Sequence, residues 1–160
     1  MNIWQSFEKK NCSDFANQTI SFHFEKGIDN ELKKLYLSFS KWLRKNYIFP
    51  ININIYILNC EKVCLRNGQM SYGSFRWYPN KTPIIKIPSA VEKDLLNKYT
   101  PKDIYEQILS SLVHELTHYY QWALNLNQTN STSERQANYY RYRIIEKYFN
   151  DINNQKELVL

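Results

Sequence analysis

The sequence predicts one α+β domain whose core spans about residues 29–149. Its 160 residues fit a single domain, and a content of 43% hydrophobic residues is enough to form a core. The main predicted elements are a helix, then short segments with the two-residue period of strands, and then two helices that fill the C-terminal half. Because strands and helices do not alternate along the chain, we expect a small, mostly antiparallel sheet.

The N-terminal part of the domain is predicted to contain a strand, a helix and a second strand. Residues 20–24 alternate between apolar and polar side chains, which predicts a short strand. From Asp29, a plausible N-cap, apolar residues recur at helical spacing until Pro50 closes the region. Residues 51–57 then alternate isoleucine with polar residues or tyrosine, so one face of this second strand should be buried.

Two further strands are expected before the C-terminal half. Asn67 and Gly68 form a turn signal, and the aromatic segment 72–78 that follows has the composition of a strand. Residues 84–87 predict another short strand, which ends at Pro88 because proline cannot donate a hydrogen bond to a sheet.

Two helices fill the C-terminal half. The first is expected over 101–124, with Thr100 as N-cap and a proline at its first position. A polar loop, 125–132, separates it from a second helix that starts at the end of this loop and runs to about Phe149. The residues after Asp151 show no pattern, and we expect this tail to fray.

The composition excludes several classes of function. The three glycines are scattered, which rules out glycine-rich phosphate loops. The N-terminus carries Glu8 and no apolar run, so it is not a secretory signal, and no apolar stretch is long enough to cross a membrane. Three cysteines imply no closed disulfide framework. We therefore expect a cytoplasmic protein without a membrane partner. The net charge of +6 allows an acidic partner such as nucleic acid, but we interpret the basic residues of the first helix as a solvated helix face. These residues are Lys33, Lys34, Lys41, Arg44 and Lys45.

The strongest chemical signal is the segment His114-Glu115-Leu-Thr-His118 within the first C-terminal helix. Residues four apart lie on one face of a helix, so the two imidazoles can bind one ion, and zinc accepts neutral histidine nitrogens. Glu115 projects beside such an ion, where it can take a proton from a metal-bound water. The segment therefore predicts a metal site with Glu115 as the general base.

Two histidines do not complete a tetrahedral site, so a third protein ligand is needed. The only other histidine, His23, lies in the first short strand, and we interpret it as a surface or satisfied residue. Glu134 is the better candidate, because a helical hairpin through the polar loop brings the start of the last helix near the two histidines. An ordinary first-turn carboxylate, favoured by the helix dipole, is the alternative interpretation of Glu134.

The residues after Glu134 support its assignment as a ligand. Ala137 lies three residues further, where a small side chain lets two helices approach closely. Asn138 lies four residues further, and its amide could bond the second nitrogen of a ligand histidine, as outer partners of metal sites usually do.

These two motifs together resemble the gluzincin type of zinc metallopeptidase. Among small intracellular members, the sequence is most similar to the ImmA/IrrE-like group, whose third ligand lies in a helix with the pattern Glu134-x-x-Ala137-Asn138, and SprT-like proteins are the nearest rival. The sequence departs from the ImmA/IrrE pattern at Thr117, where glycine is frequent, and has no helix-turn-helix before the domain. The resemblance covers roughly residues 51–149.

The resemblance implies a compact zincin-like fold and a zinc metallopeptidase, a hydrolase that acts on a protein or peptide substrate. In such enzymes an edge strand pairs with the substrate backbone. The resemblance assigns this role to residues 72–78 or, less favourably, to residues 84–87. A tyrosine often stabilises the oxyanion, and Tyr119, Tyr139 and Tyr142 lie close to the motifs in sequence. The alternative is a non-catalytic metal-binding or DNA-associated regulatory domain, which the basic charge would favour.

Overall fold

The structure, a computed structural model, describes residues 2–7 and 20–159, with side chains up to residue 155. Residues 8–19, which include Glu8 and Cys12, lie outside the described residues. A 3-10 turn over Ile3–Gln5 precedes the strands and helices. These are β1 (Ile20–Phe24), α1 (Asn30–Asn46), β2 (Ile53–Leu58), β3 (Val63–Cys64), β4 (Met70–Ser71), β5 (Ser74–Tyr78), β6 (Lys81–Pro88), α2 (Lys93–Lys98), α3 (Pro101–Ala123) and α4 (Asn130–Val159).

The main sheet is mixed, with the strand order β1-β2-β6-β5. Both β1 with β2 and β2 with β6 are parallel, and only β5 runs antiparallel to its neighbour β6. The expectation of a mostly antiparallel sheet is therefore wrong, although the α+β class holds. The reason is that α1 crosses over between β1 and β2, and the β3–β4 hairpin with β5 returns the chain so that β6 runs beside β2 in the same direction.

Helix α1 forms as the sequence predicts. The side chain of Asp29 caps it by accepting a hydrogen bond from the backbone N–H of Glu31. Its buried face carries the apolar residues that recur at helical spacing, and Tyr36 from this face packs against Phe22 of β1. In β2 every second residue is buried, which confirms that one face of this strand lies in the core.

Helices α3 and α4 form a hairpin that packs α3 across β5 and β6. Thr100 caps α3 by accepting a hydrogen bond from Asp103, and α3 ends where Asn125 adopts a left-handed conformation with φ 54°. Helix α4 continues to Val159, so the expectation of a frayed tail after Asp151 is wrong. The carboxylate of Asp151 accepts a hydrogen bond of 2.8 Å from the indole of Trp42, and Ile152 packs against the core.

The core extends toward the N-terminus beyond the predicted range. Ile3, Trp4 and Ile20 are fully buried in it. The indole N–H of Trp4 donates a hydrogen bond of 3.0 Å to the hydroxyl of Thr117, which itself donates to the carbonyl of Val113. Thr117, a departure from the resembled pattern, therefore joins the N-terminal turn to α3. Across the described ranges, no helix is both long and apolar enough to cross a membrane.

Candidate metal centre

His114 and His118 lie on the face of α3 that is turned toward α4. Their Nε2 atoms are 3.2 Å apart, because residues four apart on a helix project in the same direction. Both side chains are mostly buried, with 14% of His114 and 17% of His118 exposed. Burial of this kind removes the imidazoles from bulk water while leaving one side of the pair accessible.

Glu134, in the first turns of α4, completes a group of three ligand atoms. One carboxylate oxygen lies 2.9 Å from Nε2 of His118 and the other lies 3.2 Å from Nε2 of His114. Ligand atoms bound tetrahedrally at zinc–nitrogen lengths would be spaced by about 3.3 Å, so the three groups are close to the spacing that one ion requires. The structure thus brings together the three predicted ligands, and this group could hold a metal ion.

Glu115 lies beside these ligands without belonging to their group. Its side chain is buried, with only 7% of the residue exposed, against Gly73 in the segment that leads into β5. Burial raises the pKa of Glu115 to about 8, and the negative charge of Glu134 acts in the same direction, whereas the positive charge of Arg141 lowers this pKa. A divalent cation in the centre would also favour the ionised carboxylate.

The second nitrogen of His118 is held by a network that sequence reasoning missed. Its Nδ1 lies 2.8 Å from the side-chain oxygen of Gln121 and 3.3 Å from the hydroxyl of Ser133. The Gln121 amide also donates to the backbone carbonyl of Ser133, so the network joins α3 to α4. The sequence signal that could have revealed this contact is the spacing, because Gln121 follows His118 by three residues and therefore lies on the same face of α3.

Asn138 lies near the other histidine. The Asn138 side chain is close enough to raise the pKa of His114. The Nδ1 atom of His114 is buried, however, and has no hydrogen-bond partner within the described part of the chain. The pKa of His114 is lowered to about 4, chiefly by burial and then by repulsion from His118. Ala137 is fully buried, as expected of a small residue where two helices meet. The bond between Asn138 and a ligand nitrogen stays a prediction.

Clefts open on two sides of the centre. One has a volume of about 810 Å³ and extends between α2 and the first half of α3, and the other, of about 660 Å³, extends along β5 toward the loop before α4. Both clefts are lined by Ser71, Gly73, His114, Glu115 and Glu134. The centre is therefore accessible from both directions along the edge of the sheet.

The other residues singled out from the sequence lie elsewhere. Tyr119 is buried and its hydroxyl bonds the backbone of Ile51, while Tyr139 and Tyr142 are exposed, and none of the three lines either cleft. His23 bonds the side chain of Asn54, which agrees with its interpretation as a satisfied surface histidine. Cys60 and Cys64 are free thiols.

Comparison with models of known protein families, with curated proteins and with solved structures gives no match to this chain. The geometry of the site is therefore the basis on which its function can be argued.

Proposed function

We propose that this protein is a zinc-dependent metalloendopeptidase of the gluzincin type, similar to the ImmA/IrrE-like group. The observation that carries this proposal is the convergence of His114, His118 and Glu134 on one point, with the carboxylate of Glu115 buried beside it. Binding of an ion alone would not require Glu115, and a buried carboxylate without a function is costly.

The donor set favours zinc among the common divalent ions. Imidazole nitrogens suit zinc and other transition metals, whereas magnesium and calcium prefer oxygen ligands only. His114, His118 and Glu134 would hold the ion. More than half of the Glu134 side chain is exposed to solvent, which leaves room for a further ligand on that side of the ion. When bound, zinc would supply a Lewis acid that polarises a carbonyl group and lowers the pKa of water.

Glu115 would act as the general base and then as the general acid. Its carboxylate faces the space between β5 and the centre, where it can accept a proton from the attacking water and return it to the leaving amine. Burial raises the pKa of Glu115 and a bound cation would lower it again, so the two effects would oppose each other at this carboxyl group.

The substrate would be an extended peptide that lies along β5. This strand is at the edge of the sheet next to the centre, whereas β6 is flanked by β2 and β5 and has no free edge. An edge strand can bind a peptide through main-chain hydrogen bonds. Since clefts open on both sides of the centre, the peptide can continue in both directions, which favours cleavage within a chain. We propose that the enzyme acts on a restricted protein substrate.

The test is hydrolysis of a peptide library by the zinc-loaded protein and its Glu115→Gln variant, followed by mass spectrometry. We expect cleavage by the unsubstituted protein and loss of cleavage in Glu115→Gln, with zinc retained in both. Glu146→Gln, which changes an exposed carboxylate on α4, is the matched control and should cleave normally. Equal cleavage by Glu115→Gln would refute the mechanism, and zinc binding without any cleavage would favour a non-catalytic metal-binding domain.

A further inference from the structure

Arg141 lies on the same face of α4 as Glu134, because seven residues correspond to almost two full helical turns. One nitrogen of its guanidinium, Nη2, donates hydrogen bonds to the hydroxyls of Ser110 (3.0 Å) and Ser111 (3.4 Å) on α3. The side chain is partly buried and lines the 810 Å³ cleft together with His114, Glu115 and Glu134. The two serines therefore hold a positive charge at a fixed place in the cleft.

This cation has no ionic partner within the described residues. Ion pairs there join other groups, and the two oxygens of Glu134 contact His114 and His118. The Nε atom of Arg141 is buried and has no hydrogen-bond partner in the same ranges. A partly buried positive charge without a counter-ion is costly, so a ligand that supplies an anion here would be bound favourably. Both Arg141 and Arg143 lie over a neighbouring tyrosine ring, Tyr142 and Tyr139 respectively, but Arg143 is exposed and does not line the cleft.

The charges of the centre point to the same conclusion. With a divalent cation bound, the carboxylates of Glu115 and Glu134 would balance its two charges and leave Arg141 in surplus. The other carboxylates on the α3 wall of this cleft, Asp103 and Glu106, lie one to two helical turns farther from the centre than the two serines. Glu61 and Glu92 also line the cleft from outside α3, and Glu92 pairs with Lys62. Arg141 is the one arginine or lysine among the described residues that line this cleft.

The position of Arg141 separates it from the reacting carbonyl. Ser110 and Ser111, which hold its guanidinium, precede His114 by about one turn of α3, or roughly 5.4 Å along the helix axis. One residue of an extended peptide spans about 3.3 Å. A group bound by Arg141 would therefore belong to a residue one or two positions from the bond that is cleaved, and not to the scissile carbonyl itself.

We propose that Arg141 is a specificity residue that binds a carboxylate of the substrate one or two residues from the scissile bond. This inference rests on the proposed peptidase function. A guanidinium suits the task because it is always charged and carries several N–H groups, so Nη2 can stay on the two serines while another N–H donates to the carboxylate. The carboxylate is supplied either by an aspartate or glutamate side chain or by the C-terminus of the peptide.

The experiment measures peptide binding by calorimetry to the full chain carrying Glu115→Gln, loaded with zinc, so that affinity is read without turnover. The probes are acetylated and amidated hexa-alanine peptides with one glutamate placed at each position in turn, matched peptides with glutamine, and acetylated hexa-alanine with a free C-terminus. Arg141→Gln, Arg141→Lys and the control Arg143→Gln are added to this background. Zinc content and thermal unfolding are measured for every variant.

We expect one glutamate position, or the free C-terminus, to bind about tenfold or more tightly than its neutral match, as one charge-assisted hydrogen bond would give. Arg141→Gln should abolish this preference, Arg141→Lys should keep part of it, and Arg143→Gln should leave it unchanged. A gain with glutamate identifies a side-chain carboxylate, and a gain with the free C-terminus identifies a terminal one.

Equal affinity for acidic and neutral peptides in the zinc-loaded protein would overturn the role of Arg141 and leave the proposed function standing. A uniform loss of affinity for all peptides in Arg141→Gln would also overturn it, because that result indicates a structural role. Absence of zinc from the unsubstituted chain would instead refute the proposed function and this inference together.

Discussion

The contact between Gly73 and Glu115 allows a quantitative test of the role of Glu115. A Cβ atom placed on Gly73 would lie 2.9 Å from a carboxylate oxygen of Glu115 and 3.1 Å from its Cγ. Gly73 does not have a positive φ, so its backbone accepts alanine without strain. The Gly73→Ala substitution therefore acts mainly by displacing the Glu115 side chain.

The size of the effect follows from the distance. Ordinary contacts of a Cβ atom begin at 3.4 Å, so the carboxylate must move by about 0.5 Å. Misplacement of a reacting group by about 1 Å can cost about a hundredfold in rate, so half that displacement should lower kcat by about tenfold. Zinc content should stay the same, because Glu115 does not belong to the group of ligand atoms.

The assay compares initial rates of peptide cleavage by the unsubstituted protein, Gly73→Ala and Gly68→Ala. Gly68 has a φ of +85°, and apart from its two chain neighbours no described residue has an atom within 4 Å of the place that a Cβ would take there. Its substitution should therefore strain the β3–β4 turn and lower stability without changing kcat. An unchanged kcat in Gly73→Ala, with zinc and thermal stability retained, would refute the proposed placement of Glu115 in the reaction.

Two other predictions concern metal affinity and acid stability. Gln121→Leu removes the nearer of the two partners of Nδ1 of His118 and should weaken zinc binding about 10- to 100-fold in a chelator competition. Unchanged affinity would contradict this role. The pKa of Asp29 is lowered, chiefly by a hydrogen bond from Tyr105. The ionised carboxylate therefore stabilises the fold at pH values above its ordinary pKa of 3.8, and this contribution is lost as the pH falls through the lowered pKa of the folded state. Tyr105→Phe should therefore reduce the stability difference between pH 6 and pH 3 in thermal unfolding, and an unchanged difference would show that the bond does not matter.

Local features of the fold could be predicted from the sequence because their causes are local. Residues 20–24 alternate and form β1, Asp29 caps α1, and Thr100 with Pro101 begins α3. The pairing of strands was not predictable in the same way, since whether β2 and β6 are parallel depends on how the chain between them returns. The same holds for the end of α4, which is stabilised by Trp42 from a distant helix.

In the candidate site, too, some features have local causes in the sequence and others depend on packing between distant elements. The spacing of His114 and His118 on one helix is encoded locally, and a short polar loop is enough to bring Glu134 near them. The proximity of Gly73 to Glu115 and the capture of Arg141 by two serines depend on packing between elements that are far apart in sequence. No period or motif marks such contacts, so they become visible only in the folded chain.

The metal content of the purified protein, measured by mass spectrometry beside the Glu134→Ala variant, tests the central claim most directly. The account predicts about one zinc per chain in the unsubstituted protein and much weaker binding in Glu134→Ala, because that variant keeps only two of the three ligands. No zinc in the unsubstituted protein after reconstitution, or equal zinc affinity in Glu134→Ala, would contradict it.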